Sequence, residues 1–396
     1  MEQLSGGLTA AEAADRLGVK PATLYAYVSR GVLARRRSPD GQSLFDPAEV
    51  ERLARRGRPR RSTRAPEVVI ESRITALGDD RPFYRGRDAL DLAASASFET
   101  VAAWLWTGVL DSDQDEWRAS AAALAAGRAA SAALPGGALP LDRVQAIVPA
   151  LAATDPLRGN LDPAAVADVG RALVAGVVDC LPEGRPPSGT GIAARLAARL
   201  GAGEEFVDAV RAALVLIADH ELAASTLAAR VAASVRADPY AVVAAGLATT
   251  SGALHGGASL GAEALLAEVT DPAAAGEAIG LRLRRGERVP GFGHAVYRSG
   301  DARGAALLDR VRAAASGHPV LAVAEALLGE ARRRRLPEPN VDFALATLTR
   351  VAGMPTGAGE AIFAIARTAG WLAHAMEEYA QRTPLRLRAV YIGPTG

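Results

Sequence analysis

The chain has 396 residues, of which 49% are hydrophobic and 22% charged, and its formal net charge is +1. A chain of this length has room for two or three domains and a large core. The balanced charge argues against a protein that binds polyanions over its whole surface, although a basic excess lies before residue 65. The single cysteine, Cys180, excludes an internal disulfide and suits a reducing compartment. Because no uncharged run is long enough to span a bilayer, we expect a cytoplasmic protein without membrane contact.

The N-terminal segment predicts two short helices around a tight turn, followed by a strand pair. Apolar residues recur at helical spacing over residues 10–17, and Thr9 with Glu12 three residues later fits a capping box. Residues 39–41, Pro-Asp-Gly, predict a turn between two short strands, and a further helix is expected from Asp46.

These elements resemble the winged helix-turn-helix domain of MerR-type regulators, here over residues 1–52. The resemblance implies that the second helix enters the DNA major groove and that the basic wing lies on phosphate. The same domain could instead serve protein packing or dimer contact, because a fold alone does not establish function. Residues 53–66 form an Arg-rich linker. The candidate DNA-binding residues are Thr23, Tyr27, Arg30 and Arg36.

Beyond the linker, polar motifs interrupt an Ala- and Leu-rich background that favours helix. Residues 67–75 predict one short strand, and helices are expected from Ser97 onward. Glycines beside His255 and His294 let backbone and substrate approach the imidazoles closely. The motifs are DHELAAST at 219–226, GALHGGA at 252–258, PGFGHAVYR at 290–298, NVDF at 340–343 and ARTAGWLAHAMEE at 366–378.

This ordered set of motifs resembles the citrate synthase family over roughly residues 66–396. The resemblance implies a mostly α-helical, two-lobed fold, with the small winged helix-turn-helix domain in front of it. The large domain would comprise residues 67–220 and 336–396, and the small domain residues 221–335. Substrate binding is expected to close one lobe on the other.

The chemistry that the resemblance implies is the condensation of acetyl-CoA with oxaloacetate to give citrate and CoA. This reaction needs a base for a proton of the thioester methyl group and a hydrogen-bond donor for the enol oxygen. The family positions assign the base to Asp342, the enol donor to His255 and polarisation of the acceptor ketone to His294. Neither a metal nor a cofactor is expected beyond acetyl-CoA as substrate.

Oxaloacetate carries two carboxylates, which planar guanidinium groups can bind through paired hydrogen bonds. The positions implied to bind it are Arg303, Arg367 and Arg386. His220 matches a further substrate contact. Arg386 is implied to reach the neighbouring subunit's site, so a homodimer is expected. The candidate CoA-binding residues are Arg288, Val289, Gly291, Phe292 and Gly293.

The chain also departs from the family pattern. The family commonly has Asn where this chain has Ala223 and Ser259, and the bacterial form often has Arg where it has Ala295. Because the three catalytic positions are intact, the departures concern substrate choice more than reaction class. Three alternatives stay open. They are a 2-methylcitrate synthase that uses propionyl-CoA, an enzyme that catalyses the reverse cleavage of citryl-CoA-type substrates, and a DNA-binding regulator whose enzyme-like domain senses a CoA ester or carboxylic acid.

Overall fold

The computed structural model describes residues 7–17, 19–29, 31–38, 41–50, 53, 70–110, 116–381, 383–386 and 393. Contacts divide the chain into two compact units, Met1–Glu71 and Ser72–Gly396. The described part is mostly α-helical, as the sequence predicts. The finer domain limits, at residues 52, 66, 220 and 335, stay a prediction.

In the described part of the first unit, helices α1 (Ala10–Leu17) and α2 (Pro21–Ser29) pack with a small antiparallel sheet of β1 (Leu8–Thr9), β2 (Arg36–Arg37) and β3 (Ser43–Phe45). The strand order in this sheet is β1-β3-β2. The predicted capping box is confirmed, because the Glu12 N–H donates to Thr9 Oγ1 at 3.4 Å and the Thr9 N–H donates to the Glu12 carboxylate at 2.8 Å. The predicted wing is also confirmed as the pairing of β2 with β3.

The candidate DNA-binding residues differ in exposure. Thr23 and Tyr27 are half-buried on α2, where Tyr27 packs against the core of the first unit, and Arg36 is exposed on β2. Arg30 lies outside the described residues. On the same helix, Tyr25 is 41% exposed and so more accessible than Thr23 and Tyr27. The core of this unit comprises Ala13, Ala14, Leu24, Leu33, Phe45 and Val50.

The larger unit begins with a three-stranded antiparallel meander of β4 (Thr75–Leu77), β5 (Pro82–Tyr84) and β6 (Arg87–Asp88). The strand predicted at 67–75 is therefore wrong in its limits, since 70–74 are not strand and 67–69 lie outside the described residues. A strand needs a partner for its backbone hydrogen bonds, and β5 offers one only from Thr75, which pairs with Tyr84.

Helices make up most of the larger unit, and several begin where a side chain or a proline favours a first turn. Ser97, Ser120 and Asp238 each accept a backbone N–H of the turn that follows. The helices are α3 (Ala89–Ser95), α4 (Phe98–Thr107), α5 (Ala121–Ala132), α6 (Pro140–Ala153), α7 (Pro163–Cys180), α8 (Ile192–Arg199), α9 (Val207–Ile217), α10 (Ala224–Ser234), α11 (Pro239–Thr250), α12 (Ala258–Glu268), α13 (Ala275–Arg284), α14 (Ala302–Ala314), α15 (Pro319–Arg333), α16 (Val341–Val351) and α17 (Ala358–Ala380).

Helix α17 lies at the centre of the larger unit. Nearly all of its residues are buried, and it contacts helices on every side, among them α9, α10, α11 and α16. A helix that is apolar all round is stable only inside a core. Small residues let neighbours approach, since a Cβ at Gly246 of α11 would lie 2.6 Å from the ring of Trp371. The central position of α17 brings its polar residues to the site described next.

Candidate active site

A break between α9 and α10 carries His220 and is fixed by α17. Arg367 Nε donates to the carbonyl of Ile217 at 2.8 Å, and the Gly370 N–H donates to the carbonyl of Ala218 at 2.9 Å. The last carbonyls of a helix have no partner within that helix. The two bonds therefore hold the end of α9 against α17, and with it His220 and the side chain of Arg367.

The rings of His220, His294 and Tyr297 form one cluster. The His294 ring centroid lies 5.3 Å from that of His220 and 4.6 Å from that of Tyr297. The backbone N–H groups of Val296 and Tyr297 donate to His294 Nδ1 at 3.0 and 3.2 Å, so the proton of the neutral ring is on Nε2. Burial and the nearby Arg303 lower the pKa of His294 to about 4, which leaves the ring neutral at pH 7.

Arg303 is buried and held by Asp301, with Nε to Oδ1 at 2.9 Å and Nη2 to Oδ2 at 2.9 Å. Asp301 also accepts the Val341 N–H at 3.0 Å, which ties α14 to the start of α16. Arg303 Nη2 lies 3.5 Å from His294 Nε2. Because a guanidinium and a protonated ring nitrogen can only donate, the pair faces a place suited to an acceptor oxygen.

His255 lies in the turn between α11 and α12, with Nε2 facing Ser225 of α10. Nε2 lies 2.7 Å from Ser225 Oγ and 3.3 Å from the Ser225 backbone N, whose N–H donates to it. Trp371 Nε1 donates to the same hydroxyl at 3.3 Å, which directs the hydroxyl proton to His255. The proton of the neutral ring is therefore on Nδ1. Burial and the positive charge of Arg367 lower the pKa of His255 to about 4.

Asp342 lies in the first turn of α16, where the Asn340 side chain caps the helix. Asn340 Oδ1 accepts the N–H groups of Asp342 and Phe343 at 3.0 and 3.3 Å. Burial raises the pKa of Asp342 to about 7, against the opposing effect of the positive charges of Arg303 and Arg367. A carboxylate with such a pKa is a stronger base than usual and is still partly ionised at neutral pH.

Arg367 is a buried cation without a carboxylate partner. It is 1% exposed, its guanidinium lies 4.7 Å from the centroid of Phe363, and among the described residues it makes no ion pair. Burial lowers its pKa to about 10. Arg230 shows the usual arrangement, since its Nε lies 2.6 Å from Glu378 and its Nη1 lies 2.7 Å from Glu377. A buried charge without a partner is costly and is suited to an anionic ligand.

Most of the predicted site residues lie close to Arg303 or Arg367. The charges of Arg303 and Arg367 both lower the pKa of His220 and both act on Asp342. His294 contacts His220 and lies against Arg303. His220 Nε2 has no hydrogen-bond partner within the described chain.

His255 contacts the same region through Phe363 of α17. Its ring centroid lies 5.7 Å from that of Phe363, whose ring also contacts Arg367. Both predicted imidazoles and the predicted carboxylate are therefore electrostatic neighbours of the two buried arginines. Neutral N–H donors, a carboxylate with a raised pKa and guanidinium groups form a set that can move a proton beside an anionic ligand.

The loop predicted to bind CoA joins α13 to the His294 segment and pairs with the segment before Asp342. The Gly293 N–H donates to the backbone carbonyl of Glu338 at 2.8 Å, and the Asn340 N–H donates to the backbone carbonyl of Gly291 at 2.9 Å. Gly291 has φ +80° and is buried against Phe343. A cavity of about 690 Å³ opens on the loop, and its lining includes Arg288, Val289, Phe292, Gly293 and His294.

Arg386 is exposed and follows the end of α17. The hydrogen bonds and ring contacts that join the other predicted residues do not involve it. Its predicted place in the neighbouring subunit's site concerns a dimer and stays a prediction.

The structure adds four residues that the sequence did not single out. Asp301 orients Arg303, Ser225 sets the tautomer of His255, and Tyr297 stacks on His294. Ser225 and Tyr297 lie within the motifs already noted, and Asp301 follows one of them closely. These three residues could have been found from the sequence, because each has a hydrogen-bonding side chain in or beside a motif. Tyr84 could not have been found in this way, because its hydroxyl donates to the carbonyls of residues 215, 216 and 219, which are far away in the chain.

No group of His, Cys, Asp and Glu in the described ranges could hold a metal ion. Within the same ranges, no helix is both long enough and apolar enough to cross a membrane.

Comparison with known proteins gives two domain matches. A family model described as "Citrate synthase, C-terminal domain" matches residues 65–388, and one described as "Helix-turn-helix domain" matches residues 8–58. The chain belongs to the citrate synthase family. It is therefore an enzyme of the citrate synthase type that carries an N-terminal helix-turn-helix domain.

Several relatives match most of the chain. The 2-methylcitrate synthase of Mycobacterium tuberculosis is 33% identical over 337 residues, which cover 78% of this chain and 84% of that protein. Citrate synthase 2 of Bacillus subtilis is 30% identical over 375 residues, covering 84% and 96%.

Solved citrate synthases have the same fold. The enzyme of Thermoplasma acidophilum, in a ternary complex with carboxymethyl coenzyme A and oxaloacetate, superposes with a TM-score of 0.71, at 27% identity, over 83% of this chain and 95% of that one. The enzyme of Pyrobaculum aerophilum gives a TM-score of 0.71 at 26% identity over 92% and 95%. The predicted citrate-synthase-like fold is confirmed.

Proposed function

We propose that this enzyme condenses acetyl-CoA with oxaloacetate to give citrate and CoA, with Asp342 as the base. The observation that carries the proposal is the grouping of a carboxylate of raised pKa with two neutral histidines around two buried arginines. The Thermoplasma acidophilum enzyme, which holds a CoA analogue together with oxaloacetate, supports the same pair of substrates.

The first step is removal of a proton from the methyl carbon of the thioester by Asp342. The electron pair of the broken C–H bond forms the enol double bond, and His255 Nδ1–H donates to the thioester oxygen. This donor is available because Ser225 occupies Nε2. The donated hydrogen bond stabilises the negative charge that develops on this oxygen.

In the second step, the enol carbon attacks the ketone carbon of oxaloacetate, and a carbon–carbon bond forms. His294 Nε2–H and Arg303 donate to the ketone oxygen as it gains negative charge. The oxygen takes its proton from His294, and the proton that Asp342 removed in the first step replaces it. Arg367 and Arg303 bind the carboxylates of oxaloacetate, with His220 beside them. Water then cleaves the thioester of the condensed product, which releases citrate and free CoA.

Release of free CoA, followed with a thiol reagent, tests the reaction. Purified protein with acetyl-CoA and oxaloacetate is expected to release CoA, and Asp342→Asn is expected to abolish release while remaining folded. Release at the wild-type rate from Asp342→Asn would contradict the assigned base. Propionyl-CoA in the same assay tests 2-methylcitrate synthesis, which the similarity to a 2-methylcitrate synthase favours.

The helix-turn-helix unit supports a second function, binding of DNA. The observation in its favour is the family match over residues 8–58, together with the exposed pair Arg36 and Arg37 on the wing strand. Retention of genomic DNA fragments by the protein at increasing salt would test it. The slope of log affinity against log salt concentration reports the number of phosphate contacts, and loss of two contacts lowers it by about 2.

A double variant, Arg36→Ala with Arg37→Ala, is expected to lower that slope. Its matched control removes two charges from the larger unit, Arg118→Ala with Arg333→Ala, whose side chains are each 74% exposed. Equal retention by wild type and both double variants would contradict DNA binding through the wing.

We also propose that the protein is a cytoplasmic homodimer.

A further inference from the structure

Two glutamates near His255 have no role in the reaction described above. Glu263 of α12 and Glu360 of α17 are each 3% exposed. Glu263 Oε2 accepts the Gly357 N–H at 3.0 Å, whereas its Oε1 has no partner within the described chain. Glu360 makes neither a hydrogen bond nor an ion pair with any described residue. Buried carboxyl groups without partners are costly unless a ligand satisfies them.

Each carboxyl group has a glycine in close contact, and the missing Cβ of that glycine leaves a gap the size of a methyl group beside it. A Cβ at Gly359 would lie 3.4 Å from Glu263 Oε1 and 3.4 Å from Ser259 Oγ. A Cβ at Gly257 would lie 3.4 Å from Glu360 Oε1. A side chain at position 359 would therefore fill this gap and press on Glu263 and Ser259. We call these five residues, Gly257, Ser259, Glu263, Gly359 and Glu360, the Glu360 subsite.

The subsite lies on the His255 side of the reacting groups. Glu360, Phe363 and Arg367 follow one another at i, i+3 and i+7 on α17, and so share one face of that helix. Phe363 packs on the His255 ring, and Gly257 is two residues beyond His255. Burial and the negative charges of Glu263, Asp142 and Asp342 raise the pKa of Glu360 to about 7.

We infer that the Glu360 subsite binds the acyl chain of the thioester and selects an acyl-CoA with a hydroxyl group beyond the α-carbon. The inference rests on the proposed function. Glutamates repel a dicarboxylate acceptor, so the uncharged acyl chain is the substrate part suited to them. A hydroxyl group donates to the unpaired carboxyl oxygens, whereas an alkyl chain leaves them unpaired. Acetyl-CoA ends at the α-carbon and leaves the subsite empty.

Binding of unreactive CoA thioethers tests the inference without turnover. S-propyl-CoA and S-(3-hydroxypropyl)-CoA differ only by the hydroxyl group, and calorimetry with saturating oxaloacetate gives their dissociation constants. Wild type is expected to bind the hydroxyl analogue about tenfold more tightly, as for one hydrogen bond to a charged group. Glu360→Leu is expected to abolish this preference.

Asp142→Asn is the matched control, because Asp142 is exposed, contributes charge near Glu360 and keeps its capping contact to Leu139 as Asn. It is expected to keep the wild-type preference. Equal binding of both thioethers by wild type, or a preference that persists in Glu360→Leu, would overturn the inference alone. Failure of both thioethers to bind would overturn the proposed function as well.

Turnover gives an independent readout. The ratio of kcat/KM for 3-hydroxypropionyl-CoA to that for propionyl-CoA is expected to fall about tenfold in Glu360→Leu and to stay at the wild-type value in Asp142→Asn. An unchanged ratio in Glu360→Leu would contradict the subsite even if both substrates are condensed.

Discussion

Asp301 and Arg303 form a two-point ion pair in the interior, with both nitrogen–oxygen distances at 2.9 Å. The same carboxylate caps the start of α14 and accepts the Val341 N–H one residue before Asp342. One side chain therefore fixes both an arginine assigned to oxaloacetate and the start of the helix that carries the assigned base.

Asp301→Asn is expected to weaken both fold and substrate binding. Breaking a buried ion pair costs about 3–5 kcal/mol of unfolding free energy, because it leaves a buried charge without a partner. Urea unfolding measures this loss, and steady-state assays are expected to show a KM for oxaloacetate raised about tenfold. The control is Asp309→Asn, whose ion pair with Arg312 is exposed. Equal behaviour of the two variants would contradict the role given to Asp301.

Arg367 and Arg230 allow a second prediction, because both are buried but only Arg230 is ion-paired among the described residues. Arg367→Met removes an unpaired buried charge together with its hydrogen bond to Ile217. Because the cost of the buried charge exceeds the contribution of one hydrogen bond, the Tm of the ligand-free enzyme is expected to rise, while oxaloacetate no longer raises it. Arg230→Met leaves Glu377 and Glu378 unpaired and is expected to lower the Tm. A lower Tm for ligand-free Arg367→Met, or an undiminished response to oxaloacetate, would argue against an empty anion site.

How much of the structure could be predicted from the sequence depends on how far apart in the chain the interacting residues are. The capping box at Thr9 and Glu12 and the helical pattern depend on neighbours in the chain, so local patterns predicted them. The strand at Thr75–Leu77 depends on a partner strand, and the prediction missed its limits.

The candidate site divides in the same way. The motif histidines and arginines could be named from the sequence, but their tautomers could not. The tautomer of His255 depends on Ser225, which is 30 residues away. The unpaired state of Glu360 depends on which described side chains the fold brings close to its carboxyl group. Such features are properties of three-dimensional packing.

The pKa of Asp342 predicts the pH dependence of the reaction. A base must be ionised, so kcat/KM for acetyl-CoA is expected to fall as pH decreases through about 7. His255 and His294, with pKa values of about 4, stay neutral over this range. The charge of Asp342 raises the pKa of Glu360, and the interaction between two carboxylates is mutual. Glu360→Gln is therefore expected to move the fall to lower pH.

Rates measured from pH 5 to 9 at low acetyl-CoA test this expectation. Asp208→Asn, a change at an exposed carboxylate, is the control and should leave the profile in place. A profile that is flat between pH 5 and 8 would exclude a base with a pKa of about 7.

Glu360 also predicts how stability varies with pH. Its pKa rises from an ordinary 4.5 to about 7 on folding, so the folded state binds more protons between these values. Stability is therefore expected to fall as pH rises from about 4.5 to 7, by at most about 3 kcal/mol from this group. Glu360→Leu should reduce the fall in urea unfolding series, and Asp142→Asn should change it much less. A steeper fall in Glu360→Leu would contradict an unpaired carboxyl group.

Arg386 provides a prediction about assembly. If it completes the neighbouring subunit's site, Asp342→Asn and Arg386→Ala homodimers are each inactive, but a mixed dimer contains one site with both wild-type residues. Random pairing makes half of the dimers mixed, so co-expression of the two variants is expected to restore about a quarter of wild-type activity. Differently tagged chains allow the mixed dimer to be isolated and assayed directly. An inactive mixed dimer would show that Arg386 does not serve the partner's site.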